Sequence, residues 1–270
     1  MATWHGQVES TEWLTPTLVR VVLGGDGLTG FAVPEATDTY VNVAIPPAGA
    51  PYGAVFSPAE VRESHPKETW PARRRYTVRD WDAAAGLLSL DFVVHGDEGA
   101  AGPWAARAVP GDVLVFEGPG SGYLPDPSAD WHLLVGDESA VPAITAALEA
   151  LPADAVTRVV ILVEDAAHEP VLPLPAGAEL TVLHRASLAS GESLGAAVRA
   201  LEWLPGRVHA FVHGEAQEVM HGIRPYLLTE RGLARDQVSI SGYWRRGRSE
   251  EGFRQWKAEL RAAEEDQLTR

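Results

Sequence analysis

Leu124-Pro-Asp-Pro-Ser-Ala-Asp-Trp-His-Leu-Leu-Val135 divides the chain in two. Its first seven residues have the composition of a linker. Its last five are apolar enough for a buried strand. Downstream, strand and helix patterns alternate. Strands are expected over 131–135, 158–163, 180–184, 208–213 and 238–241, and helices over 140–151, 192–201 and 217–228. Such alternation predicts a parallel sheet with helices on both faces. The tail from Glu250 onward is acidic and reads as a helix. Its Phe253, Trp256 and Leu260 fall at i, i+3 and i+7, one face to pack on the body.

Upstream of the linker the period changes from helical to two. Five short strands are expected, at 18–23, 40–45, 75–79, 87–95 and 113–117. They are broken by Gly24-Gly25, Pro46-Pro47 and Pro110-Gly111-Asp112. Short strands between Gly, Pro and Asp turns argue for a small antiparallel barrel or sandwich. Residues 48–72 form a Pro/Ala-rich excursion of the length of a functional loop. The expected domains are therefore 1–127 and 128–270. An antiparallel β-domain before a nucleotide-type α/β domain allows one cofactor on the barrel and a second at the carboxyl ends of the parallel strands.

Composition narrows the chemistry. Of 270 residues, 46% are hydrophobic and 22% charged, as in a soluble globular protein. No apolar run approaches the roughly 20 residues that span a bilayer, and the N-terminus has no secretory pattern. The expectation is a cytoplasmic protein without membrane insertion, acting as a monomer. There is no cysteine, so disulfides, thiolate zinc and cysteine-held iron–sulfur clusters are excluded. Electron transfer, if any, needs a bound organic cofactor or a non-thiolate metal. A net charge of −15 repels polyanions and argues against nucleic acid. Against it stand two arginine clusters, Arg73-Arg74-Arg75 and Arg245-Arg246-Gly247-Arg248. Guanidinium groups bind phosphate oxygens in pairs.

Arg74-Arg75-Tyr76-Thr77-Val78-Arg79 is the most informative segment. On a strand, Arg75, Thr77 and Arg79 share one face and Arg74, Tyr76 and Val78 the other. A flavin site needs a flat surface for its ring, a hydrogen-bonding group near N5 and a cation for its pyrophosphate. Tyr, Thr and Arg supply these in close order; an edge strand with exposed charges has the same composition. Gly136-Asp137-Glu138-Ser139 lies between a strand and a helix, where a nucleotide loop belongs, but it is not G-x-G-x-x-G. Two adjacent carboxylates repel a pyrophosphate. Ser139 reads as a capping donor, and Asp137 or Glu138 either contacts sugar hydroxyls or completes the cap. Ser241-Gly-Tyr243-Trp244-Arg245-Arg246 follows the last strand, and its aromatics suit either ring stacking beside arginine or core packing. Arg185 stands where a 2′-phosphate is read. His209 and His213, i and i+4 on a strand, are about 13 Å apart and form no metal pair. Ser121 has the wrong flanks for a nucleophile elbow.

Arg-x-Tyr-Thr resembles the flavin signature of the ferredoxin-reductase superfamily. The whole chain resembles the siderophore-interacting protein family, the ferric-siderophore reductases. Five segments carry that resemblance in family order: Arg74–Arg79, Asp91–Gly96, Gly99–Ala105, Gly136–Ala140 and Ser241–Gly247. It implies a six-stranded antiparallel flavin barrel, FAD as cofactor, NADPH or NADH as donor and a ferric siderophore as acceptor. Two rival readings are a flavin reductase with another acceptor and a siderophore binder without catalysis. By resemblance, Arg74 pairs with the FAD pyrophosphate, its neighbour Arg75 belongs to the cofactor site, Tyr76 lies on the isoalloxazine and Thr77 approaches N5. Val93, Val94 and His95 line the ribityl-phosphate path, and Gly96 permits close backbone approach. Gly99, Ala101, Gly102 and Trp104 belong to a short helix whose N–H groups face phosphate. There Ala100 and Gly102 replace the family's usual proline and hydroxyl residue. Tyr243, Trp244 and Arg245 would lie near flavin and substrate.

Overall fold

The computed structural model describes residues 2–97 and 99–247; the helix expected from Glu250 onward lies outside them. Six antiparallel strands close a barrel in the order β1-β2-β5-β4-β3-β6. They are β1 (Thr3–Thr15), β2 (Leu18–Gly24), β3 (Tyr40–Ile45), β4 (Ala72–Asp82), β5 (Leu87–Val93) and β6 (Val113–Gly120). Inward residues such as Val21, Leu23, Val43, Leu88, Leu90 and Phe116 are buried and form its core. The excursion after β3 contains a helix, α1 (Pro58–Ser64), started by Pro58 and capped by the Ser57 hydroxyl, which accepts from the Glu60 amide at 3.3 Å. A second short helix, α2 (Ala101–Arg107), lies between β5 and β6.

The second half is a five-stranded sheet in the order β11-β10-β7-β8-β9. Its strands are β7 (Trp131–Asp137), β8 (Thr157–Val163), β9 (Ala178–His184), β10 (Val208–Glu215) and β11 (Val238–Trp244), all parallel. Every residue of β7 and β8 is buried, as a sheet covered on both faces requires. Helix α3 (Val141–Ala150) packs on one face; α4 (Leu194–Ala200) and Gln217–Ile223 pack on the other. The helix expected over 217–228 is wound as π-helix over Gln217–Ile223 and Tyr226–Glu230. Pro225 cannot donate an intrahelical bond, and the Arg231 amide closes a wide turn onto the Tyr226 carbonyl at 2.8 Å. Among the described residues no helix is long and apolar enough to cross a membrane.

The linker is held on both sides. One oxygen of buried Asp38 accepts from the Gly122 and Tyr123 amides, each at 2.8 Å. The Tyr123 ring stacks on His209 at 4.8 Å between centroids and leans on Phe211. The Asp126 amide donates to His209 Nδ1 at 2.9 Å, which requires that nitrogen to be unprotonated; the Asp126 carboxylate is paired with Arg207. His132, 4% exposed, lies next to His209. Burial pushes its imidazole down to about 4. A histidine held neutral in the fold loses stability to the unfolded chain as pH falls from about 6.5 to about 4. The loss amounts to roughly 2–3 kcal/mol at about 1.4 kcal/mol per pKa unit. The thermal midpoint of wild type is therefore expected to fall more steeply over that range than that of His132→Gln. Parallel curves would contradict the assignment.

Candidate flavin and nucleotide cleft

Four chain segments meet where the barrel faces the carboxyl edge of the sheet. On β4, Val78 points into the barrel core, and Tyr76 on the same face lies over Phe92 at 4.2 Å between centroids. Phe92 in turn contacts Trp104 of α2 at 5.7 Å. The opposite face of β4 turns toward the sheet domain. Thr77, 6% exposed, lies beside the Tyr243 hydroxyl, and Arg79 makes a two-point pair with Glu149 of α3 at 2.6 and 2.9 Å. Arg75 lies over the Tyr40 ring and reaches Asn42. Arg74 Nη1 donates to the Arg73 carbonyl at 2.9 Å, and Arg73 pairs with Glu117. The three arginines thus diverge, and only Arg74 shares the Tyr76 face.

The end of β5 and the start of α2 form the second wall. Val93 packs against the sheet-domain core, and buried Val94 belongs to the barrel core. His95 lies 6.5 Å from Trp244, ring to ring. Gly96 and Gly99 have left-handed backbones, and a side-chain carbon on either would meet nothing within 4 Å, so the turn is open on that side. At Gly102 the same carbon would stand 3.0 Å from the Val93 carbonyl oxygen, so α2 lies tight on the strand. Ala100 at the cap and buried Ala101 offer no side-chain acceptor to the first N–H groups of α2. Unclaimed helix-start amides beside an open turn suit a phosphate. An aromatic face at Tyr76 and a cation two residues before it complete a donor set that fits a flavin dinucleotide.

The third wall is the sheet edge. Asp137, 2% exposed, ends β7. Its Oδ1 accepts from the Ser139 amide at 2.9 Å and hydroxyl at 2.5 Å. Its Oδ2 accepts from the Glu215 amide and from Trp244 Nε1, both at 2.8 Å. Gly214 makes room for this carboxylate, since a side chain there would stand 2.8 Å from Oδ2. Burial raises the Asp137 carboxyl above the usual range, and the Ser139 and Trp244 hydrogen bonds oppose that shift. Four donors and no acceptor face it, so the ionised form is the one this geometry satisfies. Glu138 is clamped by Arg185: Nη1 to Oε1 at 2.8 Å and Nη2 to Oε2 at 2.9 Å. Sequence reading left Asp137 and Glu138 between sugar contact and cap; in the structure protein donors engage both.

The fourth wall comes from β11. Pairing skips a residue between Gly214–Gly242 and Glu215–Trp244, so Tyr243 is bulged out. A bulge re-aims side chains. Tyr243 turns to Thr77 and packs at right angles to the His213 ring, 4.8 Å between centroids, while Trp244 reaches Asp137. Burial, with Asp38 adding, holds the Tyr243 phenol well above its ordinary range. Arg245 donates to Gln217 at 3.0 Å.

Residues 7–123 match the family model described as the siderophore-interacting FAD-binding domain, and residues 129–247 match that of siderophore-interacting protein. The chain belongs to the siderophore-interacting protein family. A siderophore utilization protein from T. fusca, known from its crystal structure, is 37% identical with a TM-score of 0.76, over 92% of this chain and 94% of that one. Ferric vibriobactin reductase ViuB of Vibrio cholerae is 35% identical over 251 residues, 90% of this chain and 89% of its own. An uncharacterized protein of Mycobacterium tuberculosis is 47% identical over 270 residues, 96% of this chain and 95% of its own. In this siderophore-interacting protein the segments that the sequence singles out on β4, at the end of β5 and at the end of β11 lie side by side, with His95 against Trp244 and Thr77 against Tyr243. It missed Asp38, Tyr123 and Glu149, which join the two halves, and Glu164. Asp38, Tyr123 and Glu164 are lone residues outside the predicted elements, and Glu149 is one acidic position on the predicted helix α3, so nothing in the sequence marks them.

Proposed function

We propose that this protein is an FAD-dependent reductase that passes electrons from a nicotinamide dinucleotide to a ferric siderophore. The observation that carries the reading is the meeting of Tyr76 and Thr77 with the open α2 amides on one side and Tyr243 on the other, in a family whose model is an FAD-binding domain. Bound there, FAD supplies acceptance of a hydride and release of single electrons. Tyr76 offers its ring face to the isoalloxazine. Thr77, next to the Tyr243 hydroxyl, is the group for N5. Arg74 and the first N–H groups of α2 hold the diphosphate. The carboxyl edge of β7, β8 and β9 receives the dinucleotide.

The acceptor needs no acid, base or nucleophile from the chain. Siderophore oxygens are hard donors that hold Fe(III) far more tightly than Fe(II), so one-electron reduction frees the metal. Exposed Arg75 on β4 and Arg246 after β11 favour an anionic chelate on a chain that is otherwise acidic. The test is turnover of several ferric siderophores with NADH and NADPH while a ferrous-specific chelator traps the product. The expected result is Fe(II) formed at up to two ions per dinucleotide, since a hydride carries two electrons. A stable flavoprotein that reduces no ferric chelate would overturn the acceptor assignment.

A further inference from the structure

We propose that Glu138, Arg185 and Glu164 act together as the selector that makes this protein prefer NADH over NADPH. The inference rests on the reading of the sheet edge as a dinucleotide site. Each of the three residues lies at or just past the carboxyl end of a strand: Glu138 after β7, Glu164 after β8 and Arg185 after β9, three neighbours in the sheet. Dinucleotides bind across such an edge. Arg185 alone in that position is the residue type that reads a 2′-phosphate. It does not stand alone. Its Nη1 donates to Glu138 Oε1 at 2.8 Å and Glu164 Oε2 at 2.9 Å, and its Nη2 to Glu138 Oε2 at 2.9 Å. The Ala186 amide bonds the Glu164 carbonyl at 2.9 Å, fixing the turn that carries Arg185 to the end of β8.

The charge balance decides the preference. Two carboxylates face one guanidinium, and buried Asp137 adds a third negative group next to Glu138. A 2′-phosphate arriving here must break a two-point ion pair and then share space with the carboxylates it released. A ribose 2′-hydroxyl meets no such cost. Arg185 engages one oxygen of half-exposed Glu164, so the other is available to accept from that hydroxyl. Selectivity is a difference of two affinities, and repulsion of the wrong ligand contributes as much to it as attraction of the right one.

Calorimetric binding of 5′-AMP and 2′,5′-ADP to the flavin-loaded protein tests this without turnover. Wild type should bind 5′-AMP at least tenfold more tightly than 2′,5′-ADP. Glu164→Gln, a change at a half-exposed site, should shrink that ratio at least fivefold. The double variant Glu138→Gln, Glu164→Gln, which releases the guanidinium, should invert it. Anaerobic bleaching of the flavin by NADH and NADPH should follow the same order. Tighter binding of 2′,5′-ADP to wild type, abolished by Arg185→Ala, would overturn the proposal and make Arg185 a phosphate reader. A ratio that Glu164→Gln leaves unmoved would also overturn it. Equal bleaching by both dinucleotides defeats the selector alone. If neither fragment binds and neither dinucleotide bleaches the flavin, the donor site itself is wrong and the selector falls with it.

Discussion

Asp137→Ala is expected to destabilise the protein by roughly 3–5 kcal/mol, as removal of one partner from a buried charged network does. The carboxylate is the acceptor for four donors drawn from three segments: the amide and hydroxyl of Ser139, the Glu215 amide at the end of β10 and the Trp244 indole at the end of β11. Alanine leaves all four unpaired beside a space that the facing residue, Gly214, has no side chain to fill. Asp137→Asn separates the two oxygens. Its amide oxygen can serve Ser139, but its NH2 then opposes the Glu215 and Trp244 donors, so about half the loss is expected. Trp244→Phe removes one donor and should cost about 1 kcal/mol. At roughly 2–4 °C per kcal/mol for chains of this size, the alanine variant melts roughly 10 °C lower. A midpoint within 2 °C of wild type, on about the same scale, would show that the network is not what closes the sheet edge.

Tyr76→Ala is expected to weaken FAD binding roughly 30- to 100-fold, the equivalent of about 2–3 kcal/mol for an aromatic face lost from a ring contact. Tyr76→Phe keeps the face and should stay within about threefold of wild type. The flavin-to-protein absorbance ratio after gel filtration reads retention, and titration of deflavinated protein with FAD reads affinity. Because Tyr76 also rests on Phe92, the alanine variant must be shown to melt cooperatively. A folded Tyr76→Ala protein that holds FAD as tightly as wild type would remove the flavin ring from β4.

Much of the fold was legible. Strands β2 to β6 are short apolar or alternating runs set off by Gly, Pro and Asp turns, and β7, β8 and β10 read as apolar runs because both faces are buried. Strand β1 was not. Only Gly6 and Val8 of its 13 residues are buried, so it carries almost no pattern, and its pairing with β2 and β6 comes from backbone bonds to neighbours. The π-wound segment after β10 has an ordinary helical composition; what departs is its hydrogen-bond spacing, which Pro225 disturbs from within. In the cleft, Arg74, Tyr76 and Thr77 of β4 stood out through their resemblance to a flavin signature; by composition alone an exposed edge strand reads the same. The fate of Asp137 and Glu138 did not. The sequence shows two adjacent carboxylates, and only the folded chain brings Trp244 to one and Arg185 to the other across more than 40 intervening positions.

The central claim is that a flavin held between β4, α2 and β11 relays electrons from a nicotinamide to ferric iron. Its most direct test is anaerobic and needs no steady state. Purified protein loaded with FAD is mixed with one equivalent of NADH, the flavin absorbance is followed to completion, and a ferric siderophore is then added. The account predicts loss of the oxidised flavin band, its return on addition of the chelate, and Fe(II) released in step with that return. A flavin that NADH and NADPH both leave oxidised, or a reduced flavin that the ferric chelate fails to reoxidise, would contradict it.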